Sequence, residues 1–347
     1  MRKLAFFAVL ALVFSSACQA APVALFYMTN GKKSVEDFLA HSRQVGLIVP
    51  TWYEVDAAGL VTGKPNLVVL ERARIEKLPV MPIVALFDKV KFHQLATSAE
   101  AQEKMNQALL SAAQKYNYAG YQIDFEEIDV ADRGLLSALV AKTAEIMHDN
   151  HLQLTIATVP NMPGHAESTD YSKWMFASWR GGYDLAELAK SVDLICLMTY
   201  DQHTALTTPG PVTGWQWTID NLEYALKFVP ADKLSIGIPI YGYHWYTKVG
   251  PNAKGVDKPR VTAATVSAAG AAKLAESNHV TPQWDAEDRS AYFYFNREQL
   301  REWVFYTDAR TFEARYGLVS KYALQGFCSW VLGEEDQEIW KSLPVSR

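Results

Sequence analysis

The chain is poor in the features that mark several protein classes. It holds only three cysteines in 347 residues. One, Cys18, falls in an N-terminal segment that reads as removable. The other two, Cys196 and Cys328, cannot make a disulfide-stapled scaffold, and they lack metal-site spacing and a local histidine cluster. Both lie in apolar runs, so buried free thiols are expected. Beyond the first twenty residues no apolar run approaches the ~20 residues a membrane span needs. Basic residues do not exceed acidic ones: 33 Lys and Arg stand against 38 Asp and Glu, a net charge of −5. That argues against nucleic acid and anionic membrane as main partners. No Gly-x-Gly-x-x-Gly follows the first apolar run, which argues against a dinucleotide cofactor. Internal repeats and low-complexity tracts are absent. The lysines near residue 255 look too sparse to form a basic patch.

The N-terminus carries a targeting pattern. Arg2-Lys3 supplies a positive start, Leu4 to Phe14 an apolar run, and Ser15 to Ala20 a small-residue exit. Cleavage after Ala20 is the preferred reading, giving a signal peptide over 1–20 and a secreted or periplasmic mature chain over 21–347. Cys18 offers a competing lipoprotein reading, but Ser15 stands where a leucine is usual three residues before a lipidated cysteine.

Short apolar runs then alternate with helix-spaced segments. The runs are Val23–Met28, Val45–Pro50, Val80–Phe87, Tyr118–Glu126, Leu152–Val159, Val192–Tyr200, Leu234–Tyr241 and Gly326–Leu332. Val- and Ile-rich strands alternating with helices imply a parallel sheet, and eight such units imply a closed (β/α)8 TIM barrel of the α/β class. With nearly half of its residues apolar, the chain can fill such a core. The spacing breaks once, between the seventh and eighth runs. There, residues 243–307 contain a Gly/Pro/Lys stretch (Val249–Arg260), an alanine-rich helix (Ala263–Ser277) and a strand-like segment (Ser290–Phe295). This composition suits a small α+β insertion on the barrel rim.

The chemistry concentrates in Ala119-Gly120-Tyr121-Gln122-Ile123-Asp124-Phe125-Glu126. Side chains two apart on a strand share a face. Gln122, Asp124 and Glu126 should therefore point into the barrel, with Ile123 and Phe125 pointing out. Glu126 ends the fourth strand, where barrels place catalytic groups. Neighbouring carboxylates repel, so one keeps its proton to a higher pH. A protonated Glu at a cleft is a general acid towards a leaving oxygen. Glu127 points away and reads as a cap or surface residue. The sixth run ends Met198-Thr199-Tyr200-Asp201, opening a phenol and a carboxylate onto the same mouth, and the eighth carries Trp330. The loops Asn161–Gly182 and Gln202–Gly214 are flanked by or contain Tyr171, Trp174, Trp179, Trp215 and Trp217, which points to a sugar-stacking cleft. His203 and His244 follow the sixth and seventh strands and read as surface or hydrogen-bonded residues.

These motifs resemble the family 18 glycoside hydrolases, the chitinase-like barrels. The family's fourth strand carries Asp-Gly-x-Asp-x-Asp-x-Glu. Here its last Asp and its Glu are Asp124 and Glu126, while Ala119 and Gln122 replace the other two acids. Met198-Thr199-Tyr200-Asp201 matches the family's Met-x-Tyr-Asp. Gly237-Ile238-Pro239-Ile240-Tyr241-Gly242 and Gly326 to Trp330 are similar to its seventh and eighth strands. Pro50 to Tyr53, Asp56 to Gly59 and Gly333 to Asp336 resemble the bacterial spore-cortex and cell-wall branch, which often carries an amide at the position of Gln122.

The resemblance implies substrate-assisted retaining hydrolysis of a glycan containing β-1,4-linked N-acetylglucosamine, chitin or peptidoglycan. It implies Glu126, Asp124 and Tyr200 as catalytic groups. Gln122, Tyr27, Met198, Asp201 and Trp330 would bind substrate, and neither metal nor cofactor is required. A monomer is expected. The alternative is a non-catalytic, lectin-like carbohydrate-binding member of the fold. An exported barrel that only binds partners is a third reading, which the aromatic loops disfavour.

Overall fold

The computed structural model describes residues 22–251 and 254–345. The expected signal segment, Cys18 included, lies outside the described residues. In chain order the strands are β1 (Val23–Met28), β2 (Leu47–Pro50), β3 (Tyr53–Val55), β4 (Val61–Gly63), β5 (Ile83–Phe87), β6 (Gly120–Glu126), β7 (Gln153–Thr158), β8 (Leu194–Leu197) and β9 (Leu234–Pro239). Next come β10 (Gly242–Pro251), β11 (Asp257–Val266), β12 (Gln283–Asp285), β13 (Ser290–Arg297) and β14 (Leu300–Tyr306), and finally β15 (Gly326–Trp330).

The main sheet runs β2-β1-β15-β9-β8-β7-β6-β5, all parallel, with the β3–β4 hairpin attached beside β5. It closes where Ile48 of β2 bridges to Val80, just ahead of β5. There Ile48 N–H donates to the Pro79 carbonyl at 3.2 Å and Met81 N–H to the Ile48 carbonyl at 3.0 Å. The result is the expected (β/α)8 barrel, with all eight runs forming its staves.

Alternation divides the core in two. Outward residues such as Phe26, Ile48, Ile123, Phe125, Ile156 and Ile236 pack under the helices. Inward residues Leu25, Tyr27, Leu47, Val49, Met81, Ile83, Leu194, Cys196 and Cys328 fill the interior, as a small barrel requires. Both thiols are buried and free. Gly120 marks a close approach, because a Cβ there would lie 2.0 Å from the Gln153 carbonyl oxygen. A side chain at this point would push β6 off β7.

Several segments differ from expectation. A helix, Asp170–Ser178, occupies the supposed polar loop after the fifth strand. Its N-cap, Thr169, accepts from Ser172 N–H, and none of its residues is buried. It was hidden because it is short and its apolar stripe, Tyr171, Trp174 and Met175, is left unburied. The alanine-rich helix begins later than expected, at Ala268, capped by the Ser267 side chain. Ala263–Val266 instead completes β11, since Val, Thr and a cross-strand partner outweigh two alanines. The Gly/Pro/Lys stretch is a long hairpin, β10 paired with β11 from Gly242↔Val266 to Pro251↔Asp257. Its Pro259 is tolerated because β11 is an edge strand. The insertion is thus a five-stranded antiparallel sheet, β11-β10-β14-β13-β12, carrying one helix, Ala268–Ser277.

Candidate active site

β6 delivers three polar side chains to the barrel interior at successive depths. Gln122 is fully buried, Asp124 is 6% exposed, and Glu126 sits at the rim. The strand end is fixed by Tyr183, whose buried hydroxyl donates to the Phe125 carbonyl at 2.7 Å. At Glu127 the chain turns sharply with φ +57°, sending that side chain out to solvent.

Asp124 and Glu126 open onto a cavity of about 230 Å³, lined also by Tyr27, Phe87, Ala157, Met198, Tyr200, Asp201 and Trp330. Trp330 and Tyr27 form one wall, ring centroids 5.4 Å apart. Beside this cavity, sharing its Glu126 edge, lies a second cavity of about 280 Å³, lined by Tyr171, Trp174, Trp179, Trp217 and Leu206 among others. Glu126, Met198, Tyr200 and Asp201 line both. The two cavities are therefore halves of one groove that passes the Glu126 carboxyl.

The electrostatics single out that carboxyl. Burial first, then the charges of Asp124, Asp201 and Glu127, push Glu126 up to about 8. Burial also raises Asp124 well above the usual carboxylate range. The buried Asp124 Oδ1 has no hydrogen-bond partner, and neither does the buried Tyr27 hydroxyl. Burial keeps the phenols of Tyr27 and Tyr200 neutral. Asp201 is engaged: Tyr241 Oη donates to it at 2.5 Å and Tyr243 Oη at 3.1 Å. It stands in the left-handed region at φ +59°, which aims its carboxylate at these phenols.

The structure thus gathers seven of the eight sequence-predicted residues: Glu126, Asp124, Tyr200, Tyr27, Met198, Asp201 and Trp330. Gln122 is the exception. It lines neither half of the groove, and its amide donates to Cys196 Sγ at 3.2 Å instead of turning to Asp124. Among the flanking aromatics, Trp215 is not in the groove. It lies beneath the Arg289 guanidinium, 3.8 Å from its ring centroid. His203 bonds to the Thr208 carbonyl and His244 to Glu302, so both are satisfied. Phe87, Tyr241 and Tyr243 were not foreseen. The first two close apolar runs, and asking what ends every strand would have found them.

A closed barrel with adjacent inward carboxyls at its mouth, beside an aromatic groove, has the chemistry that cleaving a glycosidic bond requires. Comparison places it further. The pattern of glycosyl hydrolases family 18 matches residues 52–335, and the chain belongs to that family. The uncharacterized glycosylase YvbX of Bacillus subtilis is 23% identical over 333 residues, 94% of this chain and 91% of that protein. The cortical fragment-lytic enzyme of the same organism is 26% identical over 236 residues, 67% of this chain but 50% of that protein. This chain therefore spans about half the length of that relative. Among solved structures, a chitinase from Chromobacterium violaceum superposes with a TM-score of 0.79 at 26% identity, covering 93% of this chain and 98% of that one. The spore cortex-lytic enzyme SleL of Bacillus megaterium gives 0.80 at 21% identity, covering 92% and 73%.

Proposed function

We propose that the protein hydrolyses glycans containing β-1,4-linked N-acetylglucosamine by substrate-assisted, retaining catalysis. One observation carries the reading: Asp124, whose buried Oδ1 lacks a hydrogen-bond partner, lines the cavity beside a carboxyl that burial pushes up to about 8. A buried acceptor without a partner is costly. A sugar's acetamido N–H supplies the missing donor.

In this reading the sugar on the non-reducing side occupies the cavity of Asp124, Tyr27, Tyr200 and Trp330. Glu126 protonates the glycosidic oxygen. The acetamido oxygen attacks the anomeric carbon and closes an oxazolinium ring, and Asp124 orients the N–H and steadies the cation. The Tyr200 hydroxyl bonds the acetamido oxygen. Asp201, held by two phenols, and Trp330 position the ring, with Met198 packed beside it. Glu126, now a carboxylate, takes a proton from the incoming water, whose oxygen opens the ring with retention. The chitinase and cortex-lytic names among the similar proteins support an aminosugar glycan. We also propose export of the mature chain. Among the described residues no helix is long and apolar enough to cross a membrane.

The test compares N-acetylglucosamine oligomers with the same oligomers after removal of the acetyl groups. Acetylated substrate should be cut with retention at the anomeric carbon. Equal rates on the deacetylated oligomer, or inversion, would overturn the mechanism.

A further inference from the structure

The β10–β11 hairpin runs past the insertion sheet as a free two-stranded arm. β14 covers β10 only at Gly242–Trp245, whereas β10 and β11 stay paired out to Pro251↔Asp257. Thr247 to Val249 and Lys258 to Val261 are exposed, so neither face of the arm is packed. Strand pairing sorts its side chains. Lys248 lies directly opposite Arg260, and Lys258 comes two residues before Arg260 on β11, so the three cations share one face. Val249 and Val261, each 67% exposed, fall on the other. Asp257 is the arm's acidic residue among those described, and it sits on the valine face.

Like charges placed directly across a strand pair destabilise it. The ion pairs of this sheet, His244–Glu302 and Arg297–Glu302, lie elsewhere. None reaches Lys248, Lys258 or Arg260 among the described residues. A chain of net charge −5 thus concentrates unneutralised positive charge on a projecting element. Lysines that looked sparse along the sequence become a patch once the strands pair. The arm is also coupled in space to the groove. Its first strand carries Tyr243, bonded to Asp201, and Trp245, whose Nε1 donates to the Thr204 carbonyl at 3.2 Å. Lys248 stands about 17 Å farther along the strand from Tyr243.

We propose that this arm docks the carboxylate-bearing aminosugar polymer of a bacterial cell wall, peptidoglycan, while the groove cuts its glycan. The inference rests on the glycan-cleaving reading of the groove and narrows it to an anionic polymer. A neutral chitin surface offers the three cations nothing to pair with. The peptide carboxylates of peptidoglycan lie along the same polymer as its aminosugars, so groove and arm engage one substrate and reinforce each other.

Edge protection also places charge on exposed strands, and charge reversal separates the two roles. Lys248→Glu, Lys258→Glu and Arg260→Glu together keep the edges charged but invert their sign. The full chain is mixed with insoluble peptidoglycan, insoluble chitin and anionic phospholipid vesicles, at low and high salt. Expected is salt-sensitive retention on peptidoglycan, weakened on the order of tenfold by the reversal, with turnover of soluble N-acetylglucosamine oligomers retained. Unchanged retention in the variant, equal retention on chitin, or stronger binding to vesicles would overturn the proposal. If the reversal fails to fold, the triple glutamine variant decides by the same measurements. Absence of turnover in the parent chain would count against the groove reading, whereas intact turnover without peptidoglycan retention counts against the arm alone.

Discussion

Two carboxyl pairs in this molecule look alike electrostatically and differ in what they open onto. Asp124 and Glu126 occupy the barrel mouth. Asp37 and Glu335 meet where the helix Lys32–His41 packs against the segment after β15. Burial, reinforced by the charge of Asp37, raises Glu335 to about 7, and burial raises Asp37 as well. Yet Glu335 is 2% exposed and spends its Oε2 on the Gly333 N–H at 2.7 Å. Neither Asp37 nor Glu335 lines the groove. A raised carboxyl alone therefore does not mark a catalytic group. An unpartnered acceptor does not separate the pairs either, because Asp37 Oδ2 lacks a partner as Asp124 Oδ1 does. The cavity separates them: Asp124 and Glu126 line the groove, and the other pair lies away from it.

Removing the proton donor should break the comparison most sharply. Glu126→Gln should lower kcat on N-acetylglucosamine oligomers by about a thousandfold or more while leaving the thermal transition in place; near-normal turnover would misassign the acid. Asp124→Asn comes next, with kcat reduced roughly a hundredfold. It should also move the alkaline limb of the rate profile to lower pH, because the Asp124 charge helps hold the Glu126 proton. In the parent enzyme the signs are fixed by geometry. Activity falls as pH rises through about 8 and Glu126 loses its proton. It falls again at lower pH, where Asp124 becomes neutral and cannot steady a cation. A profile flat through pH 8 would contradict the burial of Glu126.

The aromatic half of the groove should matter less. Trp174 is 53% exposed, and Trp174→Ala should raise KM for long oligomers by about tenfold with little change in kcat. A kcat effect without a KM effect would move Trp174 out of the binding surface.

The sealed pair should show itself in stability. Glu335 titrates higher folded than its ordinary 4.5, so its contribution is fully present below pH 4.5 and is lost as pH rises through about 7. Glu335→Gln should flatten that decline, gaining on the order of 1–2 kcal/mol relative to the parent chain between pH 5 and pH 8. Activity on short oligomers should stay near normal. If the pH dependence of Tm is unaltered, the pair is not linked to folding.

Much of this molecule was legible in one dimension. Eight Val- and Ile-rich runs named the barrel staves, because parallel strands covered on both faces must be apolar throughout. The period-two placement of Gln122, Asp124 and Glu126 fixed which way each points. What escaped were elements too short or too little buried to show a period: the unburied helix Asp170–Ser178, the short β3–β4 hairpin, and the β10–β11 arm with its prolines and lysines. Gln122 was read as a group facing substrate, since its face was known but its depth was not.

Local spacing, then, was enough to determine the eight staves and the inward face of β6, and to single out Glu126 as the candidate acid. Long-range pairing decided the rest. It turned Gln122 to Cys196, 74 positions away, set Tyr241 and Tyr243 against Asp201, and laid Lys248 across from Arg260. Such contacts are created when distant segments close on one another, and their geometry depends on which strands become neighbours. No run of consecutive residues carries that information.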